Sequence, residues 1–133
     1  MSGEIELRAA LVGQLRGDAA LNALVNRVHD GDPAKAVPPY VVVGEGLGSE
    51  WGTKDVPGCE LRIAITIIDM AESAARIGAI MPLVEAGVRQ VAATGTAEWV
   101  VASAGLIRSR LVGQAQGKWT AVLDFRLRAL RRG

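Results

Sequence analysis

The 133-residue sequence holds one cysteine, Cys59, one histidine, His29, and few aromatics: three tryptophans, one tyrosine and one phenylalanine. A lone thiol cannot form an internal disulfide or an all-cysteine zinc site, and it is ordinary in a reducing compartment. Cys59 reads as a small buried strand residue. With one histidine, a hydrolytic triad would have His29 as its only base, and no Gly-x-Ser-x-Gly elbow accompanies it. Neither sign of charge is in excess, with 15 basic residues against 14 acidic. The electrostatic footprint of a dedicated nucleic-acid binder is therefore missing from the total. Long hydrophobic runs are lacking too: the most apolar stretches, 61–68 and 99–107, fall short of the roughly 18 apolar residues a spanning helix needs, and Arg62 interrupts the first. The start, Met1-Ser2-Gly3-Glu4-Ile5-Glu6, carries acid and no signal-peptide run. A soluble protein with no membrane partner and no address for secretion is expected.

Half of the residues are apolar. A chain of 13.9 kDa buries roughly two-thirds of its unfolded surface, enough for one core without staples. A single domain over residues 1–133 is expected. The mean hydropathy of +0.24 is high for so few aromatics. The excess lies in aliphatic side chains, some of which other subunits would cover.

Leu7, Leu11 and Leu15 recur every four residues among Glu4, Glu6, Arg8 and Arg16, which predicts an amphipathic helix over 4–16. Asp18 is placed to cap a second helix with apolar positions Leu21, Leu24, Val25 and Val28, ending near 30–33. Pro38-Pro39 enforces extended backbone before the strand 40–43. Residues 45–58, with glycines at 46, 48, 52 and 58, read as a long loop or a flexible hairpin extension. Leu61, Ile63, Ile65 and Ile67 alternate with other residues as a strand with one buried face. The span 69–94 is helical, with Ile77, Met81, Val84, Val88 and Val91 on one stripe and Pro82 kinking or dividing it. Strands over 98–103 and 106–112, a turn at 113–118 and a strand over 119–130 close the chain. In that last strand Trp119, Ala121, Leu123, Phe125 and Leu127 face one way, Arg126 and Arg128 the other. The order predicts an α+β fold, a mainly antiparallel sheet of four to five strands with two to three helices packed on one face.

Few constellations suggest chemistry. Gly44-Glu45-Gly46-Leu47-Gly48 follows a strand, but Ser49 stands where a dinucleotide fingerprint needs its third glycine and no helix opens there. Gly52-Thr53-Lys54 lacks the order of a phosphate loop. His29-Asp30-Gly31-Asp32 sets an imidazole beside two carboxylates, which reads as helix-ending turn chemistry before it reads as a metal site. No catalytic residue, cofactor or metal is predicted. Arg126, Arg128, Arg131 and Arg132 form the densest basic group, suited to a solvated face, a salt-bridged subunit contact or phosphate contact. Trp51, amid glycines and charges, is either a plug over its own sheet edge or an anchor for a partner.

Arg27-Val28-His29-Asp30, Pro38-Pro39-Tyr40-Val41-Val42-Val43-Gly44 and Trp51-Gly52-Thr53-Lys54, followed by the alternating strand from Leu61, carry a resemblance. In that order they resemble the tail-terminator, or tail-completion, proteins of long-tailed phages and phage-derived gene transfer agents, over nearly the whole chain. Two departures are His29, where a larger aromatic is expected, and Pro82 inside the long helix. The resemblance implies a structural, non-enzymatic protein. Its implied form is a homo-oligomeric ring, usually a hexamer, that caps the tail tube, stops its polymerisation and joins it to the head-side connector. The implied partners are other copies of the chain, the tail tube protein and the head-completion (stopper) protein, with DNA passing through the lumen without specific binding. The implied place is the neck of an assembled particle made in the bacterial cytoplasm. Glu50, Trp51, Thr53, Lys54, Arg126 and Arg128 are the expected subunit or partner contacts. Two rival readings are a small nucleic-acid-binding module using the C-terminal arginines and a small-molecule-binding α+β domain.

Charge is also split along the chain. Residues 1–60 carry five basic against nine acidic side chains, and residues 61–133 carry ten against five. Opposite charges in the two halves suit a cyclic assembly, which joins two different patches of each subunit.

Overall fold

The computed structural model describes residues 2–133. In chain order the elements are α1 (Gly3–Gly17), α2 (Ala19–Asn22), β1 (Arg27–Asp30), β2 (Tyr40–Gly52), β3 (Pro57–Met70), α3 (Ala75–Thr94), β4 (Trp99–Gly113) and β5 (Lys118–Arg131). The strands form one sheet in the order β1-β2-β3-β5-β4. Only β1 and β2 run parallel, so the fold is α+β with a mainly antiparallel sheet.

The core follows from two periodicities meeting. On β3, Leu61, Ile63, Ile65 and Ile67 are buried directly opposite Leu127, Phe125, Leu123 and Ala121 of β5. Leu7, Leu11 and Leu15 of α1 and Ile77, Ile80, Val84, Val88 and Val91 of α3 pack onto that row. Each fully buried aliphatic side chain contributes about 2 kcal/mol. Because all of these belong to one cluster, the opposite face of the sheet has no helix on it among the described residues. Ile80 is buried where the expected stripe placed Met81, which packs at the edge.

Three segments differ from expectation, and 45–58 resolves into one of its two readings. The second helix stops at Asn22, whose side-chain amide donates to the carbonyls of Leu15, Arg16 and Asp18 and so closes the turn, while Asp18 caps it as predicted. The residues beyond become β1, with Val28 buried beside Val41. Of the two readings of 45–58 the hairpin extension holds and the long loop does not: β2 and β3 pair through Gly52 and Pro57, leaving only 53–56 as the turn. Glycine is required at its corner, since Gly52 has φ +117° and an added Cβ would lie 2.6 Å from the Val56 carbonyl oxygen. The two strands expected over 98–112 are one strand, β4, with irregularities at Val101/Ser103 and Leu106/Arg108. Finally α3 begins at Ala75, because Asp69 and Met70 still pair with β5. Pro82 lies within one uninterrupted helix. Both Pro82 and Gly78, the residue whose carbonyl loses its partner, are solvent-exposed, so water can satisfy that group.

Candidate interaction site

On the helix-free face the register aligns Trp51, Gly58, Leu130 and Val100 in one row, Ser49, Glu60, Arg128 and Ser103 in the next, and Leu47, Arg62, Arg126 and Gly105 beyond. Three guanidinium groups thereby surround one carboxylate. Glu60 Oε1 lies 3.4 Å from Arg62 Nε, 3.8 Å from Arg126 Nε and 3.9 Å from Arg128 Nε, with the Glu60 side chain only 13% exposed. Arg128 Nε is buried without a hydrogen-bond partner among the described residues. Its guanidinium carbon stands 5.6 Å from the centroid of the half-buried Trp51 ring, within cation–π range. One carboxylate cannot neutralise three arginines, so the site holds surplus positive charge at the edge of a half-buried tryptophan. Nearby, Glu45, Leu47, Arg62, Ile107, Arg108 and Asp124 border a depression of about 380 Å³. Arg108 and Asp124 pair there at 2.8 Å.

The structure therefore brings Trp51, Arg126 and Arg128 together and separates the other expected contacts. Glu50 lies opposite Cys59 and belongs to the helix-side row, although it borders an open groove of about 420 Å³ with Trp51 and Thr53. Thr53 closes the hairpin: its N–H donates to the Val56 carbonyl at 3.0 Å and its hydroxyl accepts from the Val56 N–H at 3.1 Å. Lys54 is exposed at the tip of that turn. The C-terminal arginines divide into two pairs. Arg126 and Arg128 occupy the sheet face, whereas Arg131 lies over Trp99 at 5.1 Å and Arg132 donates to the carbonyls of Thr94 and Thr96.

Sequence reasoning missed Glu60 and Arg62 as members of the site, though both share a strand face, two residues apart, as Arg126 and Arg128 do. It also missed Arg8, which donates to the carbonyls of Gly44 at 2.9 Å and Val43 at 2.7 Å and pairs with Asp30. That side chain ties α1 to the bulge where β2 leaves β1. Asp30 is thus an ion-pair partner of α1, and His29 meets Tyr40 edge-on at 5.5 Å. Among the described residues no group of three or more His, Cys, Asp or Glu side chains could hold a metal ion. Cys59 is buried, and burial together with the Glu4 charge pushes its thiol pKa up, away from the reactive thiolate.

The family model described as tail completion protein gp17 matches residues 9–129. The chain belongs to that family. Tail completion is a structural role, not an enzyme class. Two solved structures share the fold of this tail completion family member. A chain of the virion of a native gene transfer agent particle superposes with a TM-score of 0.73 at 21% identity, over 97% of this chain and 98% of that one. The bacteriophage SPP1 gp17 protein superposes with a TM-score of 0.59 at 17% identity, over 93% and 88% of the respective chains. No curated protein matches the chain.

Proposed function

We propose that this chain is a structural component of a phage-like particle, one that assembles as a homo-oligomeric ring, usually of six copies, ends the tail tube and joins it to the head-side connector. It lies at the neck of the particle after synthesis in the bacterial cytoplasm, and acts without catalysis or cofactor. Its partners are further copies of itself, the tail tube protein and the head-completion protein, with DNA crossing the lumen unread. The observation that carries this reading is the helix-free sheet face of a tail completion fold, where Trp51, Arg62, Arg126 and Arg128 present more positive charge than Glu60 neutralises. Thr53 and Lys54, in the turn of the same hairpin, extend that contact toward its tip, and Glu50 adds to it from the helix-side row through the groove it borders with Trp51. A surface of this kind suits an acidic partner surface rather than a substrate pocket.

Negative-stain imaging of the purified protein, alone and mixed with tail tube subunits, tests the proposal. Rings and tubes that stop growing at a capped end are expected. Tubes that elongate unchanged in its presence would refute it. The same arginines should hold duplex DNA weakly, without sequence preference and with affinity falling steeply as salt rises. Sequence-specific retention at physiological salt would favour the nucleic-acid-binding module instead.

A further inference from the structure

Both long edges of the sheet are open. On one side β4 runs for 15 residues with no strand beyond it among the described residues, and past Trp99 its side chains are exposed or half-buried on both faces. Leu106, Ile107 and Leu111 are 41%, 50% and 43% exposed. On the other side β1 covers β2 only from Tyr40 to Val43 and Arg8 takes the Gly44 carbonyl, so among the described residues the stretch from Gly46 to Gly52 has a free edge, with Leu47 at 65% exposure. Long, apolar, unpaired edges are templates for pairing with another chain unless something blunts them.

Charge tells the two edges apart. β4 carries Arg108 and Arg110 and no acid, whereas β2 carries Glu45 and Glu50 and no base. They also match in height. Arg108 opposes Asp124, Asp124 opposes Ala64, and Ala64 faces the bulge formed by Gly44 and Glu45, so Arg108 and Glu45 end the same row at opposite edges of the sheet. Direction matches as well: β2 to β3, β3 to β5 and β5 to β4 are three antiparallel steps, which leaves β4 antiparallel to β2. Copies related by rotation about an axis along the strands keep that relation, and β4 of one then meets β2 of the next in antiparallel sense. A two-fold pairing of β4 with β4 about Ser109 would set Arg108 of each copy against Arg110 of the other, and like charges directly opposite are destabilising.

We infer that β4 of one copy pairs antiparallel with the free segment of β2, Gly46 to Gly52, in a second copy, with Arg108 level with Glu45 at the end of that segment and Arg110 diagonal to it. This rests on the ring reading and names the two surfaces that close it. The row of Ser49, Glu60, Arg128 and Ser103 then predicts where neighbouring copies touch, at Ser103 of one and Ser49 of the next.

Cysteine cross-linking of the full chain tests the contact, with the buried Cys59 left in place and thermal melts used to confirm that each variant folds. Ser103→Cys is mixed under mild oxidant with Leu47→Cys, Ser49→Cys or Trp51→Cys in separate copies. Disulfide dimers are expected in the mixtures and not with Ser103→Cys alone. In parallel, Arg110→Glu and Glu45→Arg should each raise the concentration for half-assembly on the order of five- to tenfold, as expected when an exposed attraction becomes a repulsion. Mixing these two variants should restore assembly, since each supplies the charge the other reversed. Cross-linking of Ser103→Cys with itself would overturn the inference in favour of a two-fold dimer. Intact rings with no cross-link and no charge effect would overturn it while leaving the proposed function standing. A protein that never assembles, even with tail tube subunits, would bring down both.

Discussion

At the scale of single residues, Trp51 divides its surface between its own sheet and the outside. Arg128 covers part of the ring, and the rest is open to a partner. Trp51→Ala should therefore cost the isolated chain only about 1 kcal/mol, the loss of an exposed cation–π contact and some burial, while weakening assembly by about 2 kcal/mol or more. Urea unfolding of the monomer and sedimentation of the assembly, measured on the same variant, separate the two effects. A monomer loss near 3 kcal/mol, as for a core aromatic, would make Trp51 a plug. Gly58, in the same row, is constrained by backbone. A Cβ there would collide with the Trp51 carbonyl oxygen and approach that of Ala129 to 2.8 Å. Neither oxygen can swing aside as a side chain would, so Gly58→Ala should lower stability by about 2 kcal/mol, read as an earlier urea midpoint. The rows around these residues were half legible in the sequence. Alternation placed Arg126 and Arg128 on the outer face of β5, but which β3 residues they meet depends on register, and the pairing of Arg128 with Glu60 across strands 68 residues apart leaves no local signal.

At the scale of elements, the junction between β3 and α3 depends on Asp69, the one polar or charged side chain that is buried among the described residues. Arg76, on the first turn of α3, donates to its carboxylate from Nε and Nη2, at distances down to 2.6 Å, and the Met70 N–H adds a third donor at 2.8 Å. The Arg76 hydrogen bonds, helped by that of Met70, hold the carboxyl below its ordinary pKa against the opposing effect of burial. A carboxylate whose folded pKa lies below its unfolded value stabilises the fold fully above the unfolded pKa. The stabilisation is lost as pH falls through the lower folded value. Asp69→Asn should thus cost about 2 kcal/mol at pH 7, and the gap to the unaltered protein should narrow in acid. Urea midpoints at pH 7 and pH 3 check this, and a gap independent of pH would mean that packing, not charge, makes the difference. This junction also explains a boundary that sequence reading misplaced. The helical pattern reads from Asp69 onward, yet the buried pairing of Asp69 with Arg76 holds it at the end of β3. β1 was hidden for a similar reason: Val28 suits a helix stripe and a short parallel strand equally well, and only the approach of β2 decides. Where periodicity was long, in α1, β3, α3 and β5, the sequence was enough for the type of element and most of its buried face, but not for its ends.

At the scale of the whole molecule, the question is where the split charge goes. Most ion pairs stay within one half of the chain: Arg8 with Asp30 in the first, and Arg76 with Asp69, Arg108 with Asp124 and Arg131 with Glu98 in the second. Among the described residues only Glu60 joins the halves by ion pairs, through Arg62, Arg126 and Arg128. Folding therefore leaves the acidic first half and the basic second half largely unneutralised by each other, and their attraction remains available between copies. Each exposed pair contributes only about 0.2–1 kcal/mol and is screened by salt, whereas the apolar edge residues are not. Assembly should accordingly respond to ions in two ways. Raising sodium chloride from 0.05 to 0.5 M should raise the concentration for half-assembly about fivefold without abolishing the oligomer. Sulfate at the same ionic strength should recover most of that loss, because it is excluded from protein surface and strengthens apolar burial. Light scattering across concentration in the two salts measures both effects. An assembly that only tightens as chloride rises would owe nothing to the opposed charges, and the pairing of β4 with β2 would lose the argument that distinguishes it from β4 with β4.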